Sequence, residues 1–309
     1  GVSVTNKVFD NTANAVLSGG TLAGSILAAD IANVTLSGSN VGTFASVNVG
    51  TGIRVTASGF TLTGSAAGNY TLIQPTGLSG NITPLALTLT TATNFDKVYD
   101  TTTAAVAPTI TSSTTLPSGQ AITFSGSASY ASANVVCSAA CDGTNATTQT
   151  VNISGIRAVA GNSSTLLSNY TFSSSGLTST GKISPATITV SSVTAPSKTY
   201  GQAASVPVIA YTGLLGNDVT TFTIGLNGGA IDSATLAAGT YTVTVTGQTN
   251  SNYVLAANPP TGSLTVNKAV ITVAGIADTS HAYGSAAVSN SALAAATTIS
   301  GLVNGDTFE

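Results

Sequence analysis

The sequence predicts an all-β chain: tandem immunoglobulin-like two-sheet sandwiches stacked end to end. Three observations predict it. Short runs such as Phe60-Thr61-Leu62-Thr63 and Tyr241-Thr242-Val243-Thr244-Val245-Thr246 alternate apolar with hydroxyl residues, which buries one face of a strand and wets the other. Clusters of Gly, Ser and Asn punctuate these runs as turns. A single cassette recurs at intervals of one small β domain. A β-grasp-like sheet with a short helix is the alternative fold.

The cassette occurs three times in full. One copy runs from Asn69-Tyr70-Thr71-Leu72 through Pro84 to Lys97-Val98-Tyr99-Asp100, and the next from Asn169-Tyr170-Thr171-Phe172 through Pro185 to Lys198-Thr199-Tyr200-Gly201. The last joins Asn252-Tyr253 to His281-Ala282-Tyr283-Gly284, and Lys7-Val8-Phe9-Asp10 is the end of a further copy. The recurrence divides the chain into repeats at 1–84, 85–185 and 186–268, with a partial repeat at 269–309. Proline fixes its own φ and extends the residue before it, so Pro84 and Pro185 make short, stiff links where a Gly/Ser linker would be floppy.

In the first repeat, Val2-Ser3-Val4, Val34-Thr35-Leu36, Ile53-Arg54-Val55-Thr56 and Phe60 to Thr63 read as strands, and the Ala- and Leu-rich stretch Leu22 to Ile31 as a short helix or another strand. In the second, the strands are Leu87 to Thr90, Ala121 to Phe124, Thr150 to Ile153 and Tyr170 to Phe172. Its Gly- and Ala-rich loop holds Cys137 and Cys141, the only cysteines. A local disulfide is their expected use; a metal pair would lack further Cys and His ligands, and a redox motif would want a helix start. In the third, Thr220 to Ile224 and Tyr241 to Thr246 are strong strands. Gly301-Leu302-Val303-Asn304-Gly305-Asp306 echoes Gly213-Leu214-Leu215-Gly216-Asn217-Asp218, which sets the register of the partial repeat.

Only 6% of the residues are charged, against about 25% in an average soluble domain. No apolar run is long enough to span a membrane as a helix. Seven Lys and Arg and a net charge of −3 give no phosphate-tracking patch, so nucleic acid is not an expected partner. Polarity carried by Ser, Thr, Asn and Gly suits an extracellular β protein. With no Met and no leader at Gly1, the chain reads as a window on a longer polypeptide.

These residues carry a family resemblance. Lys97-Val98-Tyr99-Asp100-Thr101-Thr102, and Lys7 to Thr12 with Phe for Tyr, resemble the YDG-type repeat of large secreted bacterial surface adhesins of the filamentous-haemagglutinin kind. Lys198 to Gly201, with Gly213 to Asp218 and Asn252-Tyr253, resembles the companion MBG-type repeat. The chain departs from the pattern at Asn11 and Thr101, where Gly is usual after Tyr-Asp, and at His281, where Lys is usual. The resemblance implies a stalk or fibre segment on the bacterial surface or in a biofilm matrix, and no catalytic residues.

No chemical constellation competes with that reading. A Ser-His-Asp site would need the sole histidine, His281, beside an activated Ser, and no Gly-x-Ser-x-Gly elbow occurs. The acids form no EF-hand loop; Asp96 and Asp100 are the ones a junction calcium would use, and a Lys-to-Asn or Lys-to-Asp isopeptide would need a buried acid. No cofactor is expected. The recurring aromatics (Phe9, Tyr99, Tyr200 and Tyr283; Tyr70, Tyr170 and Tyr253) read as core or corner residues whose hydroxyls find partners. Asn-x-Ser/Thr sequences at Asn69, Asn81 and Asn169 follow from composition. Expected partners are neighbouring repeats of the same chain. The alternative is a binding module, whose loops (135–145, for example) or sparsely charged sheet edges take a sister chain, a glycan or a matrix protein.

Overall fold

Hydroxyl-apolar alternation becomes strand pairing almost throughout the chain. The structure, a computed structural model, describes residues 1–38, 40–204, 206–227, 229–231, 233–276, 282–284 and 297–307. The fold is all-β. The helical content among the described residues is three single 3-10 turns, at Ile31–Asn33, Ala67–Asn69 and Leu167–Asn169. Neither the helix nor the strand left open for Leu22 to Ile31 forms: Gly24, at φ +120, interrupts the stretch with a backbone no helix accommodates, and only the 3-10 turn at Ile31–Asn33 follows. The β-grasp alternative is set aside with it.

By contact the chain divides into two compact units. The first comprises Gly1–Phe95, Thr103–Ala131 and Gln149–Gly181; the second comprises Asp96–Thr102, Ser132–Thr148 and Lys182–Glu309. In the first unit a six-stranded sheet runs in the order Val2–Val4, Asn14–Gly19, Val41–Phe44, Gly50–Ala57, Leu78–Thr83, Lys7–Val8. It faces the pair Thr35–Gly38 and Phe60–Thr63, and Leu17, Ala57 and Phe60 fill the space between with Leu36 against them. That is sandwich packing. Leu17 and Ile82 are each 1% exposed, and burying such a side chain contributes about 1.5–3 kcal/mol.

In the second unit, Ala186–Thr194 lies between Val208–Thr212 and Tyr253–Leu255. Facing it, four strands run in the order Lys198–Thr199, Gly262–Asn267, Gly239–Gln248, Phe222–Leu226. Val190 and Val193 of the first layer pack with Val243, Val245, Leu264 and Val266 of the second. The strand at Ala186–Thr194 buries Ala186, Ile188 and Val190, then exposes two residues before burying Val193; a bulge between Val190 and Ser192 resets the alternation. The long strand Thr148–Ala160, in the first unit from Gln149 on, does the same between Ile153 and Ile156, with Gly155 at φ +62.

One device recurs without change. Each Lys-x-aromatic strand lies parallel to the last strand before the next repeat: Lys7 opposite Ile82, Lys97 opposite Ile183, Lys198 opposite Val266. The aromatic residue's N–H then donates to a carbonyl of that strand, Phe9 to Thr83 at 2.8 Å, Tyr99 to Ser184 at 2.8 Å and Tyr200 to Asn267 at 2.9 Å. Pro84 stands between Leu78–Thr83 and Leu85–Ala86, and Pro185 between Leu177–Ser184 and Ala186–Thr194. Gly181 lets that last strand lie against Tyr130, since a Cβ there would come 2.5 Å from the tyrosine oxygen, whose hydroxyl donates to the Phe95 carbonyl.

The turn after the aromatic explains the two departures from the family pattern. Asn11 and Thr101 both take left-handed backbone, at φ 60 and 69, where glycine would be unstrained. Asp10 and Asp100 hold the turn. Each Oδ1 accepts from its Lys at 2.7 Å and from the N–H of Thr12 or Thr102 at 2.9 Å. Partial burial acts to raise both carboxyls, but the lysine and threonine donors outweigh it and hold them below the usual carboxylate range. A β-branched residue is the poorer occupant of this backbone, which costs an L residue roughly 1–2 kcal/mol. Thr101→Gly is therefore expected to stabilise by about 1 kcal/mol after the extra entropy of unfolded glycine is counted. Asn11→Gly should not stabilise, because Asn tolerates this conformation and its Nδ2 donates to the Ser118 carbonyl at 3.1 Å, a bond glycine removes. Calorimetric unfolding checks this; equal shifts for the two variants would contradict it.

Candidate functional site

The recurring asparagine-tyrosine pairs and the recurring Lys-x-aromatic strands meet, and they meet across the predicted repeats. In the first unit Phe9 packs edge-on against Tyr170, with centroids 5.4 Å apart and planes at 77°. In the second unit Tyr99 packs against Tyr253 at 5.4 Å and 76°. The first contact joins residues 1–84 to 85–185, and the second joins 85–185 to 186–268.

A tight turn aims each asparagine-tyrosine pair. The 3-10 turns Ala67–Asn69 and Leu167–Asn169 end on the asparagine, and at the third copy the Tyr253 N–H donates to the Asn250 carbonyl at 3.0 Å. The asparagine then clasps the neighbouring repeat. Asn169 Oδ1 accepts from the Val49 N–H at 2.9 Å while its Nδ2 donates to Asn48 Oδ1 at 2.9 Å. Asn252 makes the same pair of bonds, accepting from the Val135 N–H at 2.8 Å and donating to Asn134 Oδ1 at 3.1 Å. Asn169 is 2% exposed, so its satisfied amide is part of the core. Asn69, the first copy, is exposed.

The tyrosine hydroxyls end on a third element, of which the sequence showed only the echo of Gly213 to Asp218 in Gly301 to Asp306 and not its role. It is a turn in which the N–H of one residue returns to the carbonyl three before it: Asp30 to Leu27, Gln120 to Pro117, Asp218 to Leu215 and Asp306 to Val303. The Tyr253 hydroxyl donates to Asp218 Oδ2 at 2.6 Å and accepts from the Leu215 N–H at 3.0 Å. Tyr70 does the same with Asp30 at 2.9 Å and Leu27 at 3.1 Å. Tyr170 donates to Gln120 Oε1 at 3.2 Å, and Pro117 offers no N–H in return.

The same acid serves the other ring. Tyr99 donates to Asp218 Oδ2 at 2.8 Å, so one carboxylate receives two hydroxyls. Tyr200 reaches Asp306 at 3.3 Å. Phe9 has no hydroxyl to place, and its joint carries neutral Gln120. Where the Lys-x-aromatic residue is tyrosine the turn ends in aspartate; where it is phenylalanine the turn ends in glutamine.

The remaining signature residues hold these parts in place. Lys7 and Lys97 bind Asp10 and Asp100; Gly201 stands where those acids would be, and the buried Lys198 ammonium donates to the Ser233 carbonyl instead. Cys137 and Cys141 form the expected disulfide. It closes the loop that leaves Asn134 and Val135, the residues clasped by Asn252. Asp96 Oδ1 accepts from the Lys182 N–H at 2.7 Å, and among the described residues no three of His, Cys, Asp and Glu gather to hold a metal. Tyr283 corrects one expectation: it is 107% exposed, not a core residue, because the two strands Thr272–Ile276 and Thr297–Ser300 provide no second layer over it among the described residues. Gly284 beside it has φ 89, as a turn glycine does; His281 lies outside the described residues.

The YDG domain profile matches residues 1–77 and 83–178, more than half of the chain. No curated protein matches. Crystal structures of the N-terminal four Ig domains of Dscam1 isoforms 7.44 and 6.44 align at 12% and 11% identity over 86% and 87% of this chain and 72% and 71% of theirs. Both have TM-scores of 0.22, below the level at which folds agree in detail.

Burial first, and then the Asp218 carboxylate, push the Tyr99 hydroxyl from 10.0 up to about 12 and raise Tyr253 in the same direction. An unfolded tyrosine loses its proton near pH 10, so between there and about pH 12 the unfolded form binds fewer protons and stability falls as pH rises. The contribution is complete below pH 10 and lost above about 12. The unfolding temperature is expected to decline across that window, and less steeply in Tyr99→Phe. Identical alkaline profiles for the two proteins would contradict the assignment.

Proposed function

We propose, from the premise that this chain belongs to the YDG domain family, that it is a stiff spacer: a stalk segment of a secreted bacterial surface adhesin or biofilm-matrix protein. The observation that carries the reading is the recurrence of one joint at successive repeats, ring on ring and asparagine on backbone. A spacer needs its links to resist bending. A link of one proline, flanked by a buried ring pair and a clasped asparagine, resists it in a way a solvated linker does not. Residues 186–309 take the part of the MBG-type companion repeats, which the YDG profile does not reach. An extracellular setting fits the disulfide and the near absence of charge.

One observation favours chain-to-chain pairing as a second reading. Val208–Thr212 is an edge strand without a charged residue, and Val208 is 65% exposed. Such an edge is a template for another strand. Small-angle scattering over a concentration series separates the two. A spacer gives a profile independent of concentration, and the double variant Tyr99→Ala, Tyr253→Ala gives a more flexible particle. Growth with concentration would replace the spacer reading by self-assembly, and unchanged flexibility in the variant would remove the joint as the source of stiffness.

A further inference from the structure

The two backbones that asparagines clasp continue differently. In the first unit Val49, whose N–H is held by Asn169, runs at once into the strand Gly50–Ala57. In the second, residues 136–147 stand between Val135, held by Asn252, and the strand Thr148–Ala160. Those residues form a closed hairpin. The Thr147 N–H donates to the Val136 carbonyl at 2.7 Å, Cys137 bridges to Ala146, and the Ser138 N–H donates to the Asn145 carbonyl at 3.2 Å. Asp142 turns the tip, its Oδ1 accepting from the Thr144 N–H at 2.8 Å, and Asn145 Nδ2 donates to the Ala140 carbonyl at 2.6 Å.

Such a hairpin has little to hold it by itself. Every residue from 136 to 147 is exposed or half-buried, and a lone two-stranded hairpin is marginal in water. The Cys137–Cys141 disulfide supplies the missing constraint. The hairpin also touches the following repeat: a Cβ on Gly143 would lie 3.7 Å from Val254 Cγ2. Val254 adjoins Tyr253, whose ring packs on Tyr99, and Asn252, which clasps the hairpin's base at Asn134 and Val135. Base and tip thus both rest on residues 252–254.

We infer that this hairpin is a redox-controlled clamp on the second joint. Closed by its disulfide, it holds Asn134 and Val135 in place for Asn252 and covers Val254; reduced, it comes away from Val254 and the clasp loosens. The first joint, which has no cysteine, does not respond. The inference rests on the spacer reading, in which stiffness of the joints is the function. In the reduction a dithiol attacks one sulfur and forms a mixed disulfide, and its second thiol then displaces the protein. The Sγ–Sγ bond takes up two electrons and two protons to give two thiols, and the dithiol closes to its own disulfide. Both cysteines are half-buried, within reach of a small thiol, and the chain has no other cysteine to exchange with them. Because disulfides form in oxidising compartments, the second joint stiffens once the chain has left a reducing one.

The test is amide hydrogen exchange on the whole chain, oxidised and after treatment with dithiothreitol. The Val135 N–H reports the second joint and the Val49 N–H the first. The Tyr99 N–H, which donates to the Ser184 carbonyl, reports whether the surrounding strands stay paired. Reduction is expected to speed exchange at Val135 about tenfold or more and to leave Val49 and Tyr99 unchanged. The double variant Cys137→Ser, Cys141→Ser should exchange at the faster rate from the start and ignore dithiothreitol. Val135 protection that survives both reduction and the double variant would overturn the clamp. So would an equal loss at Val49 or Tyr99, because the disulfide would then act on the whole fold and not on one joint. Neither result depends on the scattering of the Tyr99→Ala, Tyr253→Ala variant, so the clamp and the spacer reading fail separately.

Discussion

A buried phenol must keep a hydrogen-bond partner, and for Tyr99 that partner lies on a turn that only the next repeat brings within reach. Tyr99 directly follows the strand Lys97–Val98, near the start of residues 85–185, yet its hydroxyl ends on Asp218 in the next repeat, beside the hydroxyl of Tyr253. Separating the two repeats would break the Tyr99–Asp218 hydrogen bond and open the edge-on contact of the Tyr99 and Tyr253 rings to water, while Tyr253 would keep Asp218 and the Leu215 N–H. The joint therefore behaves as core, although it lies where a linker would be expected. This is also why the contact units do not follow the predicted repeats: residues 85–185 contribute to both.

The rest of the composition is consistent with that constraint. With charge nearly absent, polarity is supplied by hydroxyls and amides that can enter a joint without the desolvation cost of an ion. The ion pairs Lys7–Asp10 and Lys97–Asp100 both serve the turn that presents the aromatic. The strain at Thr101 belongs to the same account, because the turn is needed for the ring's position and is held by Lys97 and Asp100 even where glycine is missing.

Much of this was legible from recurrence. The strands followed from period-two alternation, and the buried tyrosines from their return at fixed places. The joint's third element was hidden. Gly213 to Asp218 and its echo at Gly301 to Asp306 set a register, but Asp218 reads as an ordinary loop acid until Tyr99 and Tyr253 are seen around it. Its counterpart in the second repeat, Pro117 to Gln120, shares only the turn, and Asn48-Val49 and Asn134-Val135 are recognised through their N–H and amide positions, which two-residue likenesses do not flag. The stretch Leu22 to Ile31 misled for the opposite reason: apolar content suggested a helix or a strand, and neither forms, with Gly24 at φ +120 breaking any helix there. Tyr283 shares the motif of Tyr99 but not its surroundings, and burial is set by surroundings.

The central claim is that ring and turn residue act as a matched pair across the joint. The most direct measurement is a double-mutant cycle in the first unit that converts its joint to the other type, using Phe9→Tyr, Gln120→Asp and the two together, each followed by calorimetric unfolding. The account predicts that each single change destabilises, one adding a second hydroxyl beside a neutral amide and the other leaving a carboxylate with the Tyr170 hydroxyl alone where Asp218 has two, while the pair recovers about 1 kcal/mol or more beyond additivity. Additive effects within about 0.3–0.5 kcal/mol would contradict it, and the correspondence of tyrosine with aspartate and phenylalanine with glutamine would then be coincidence.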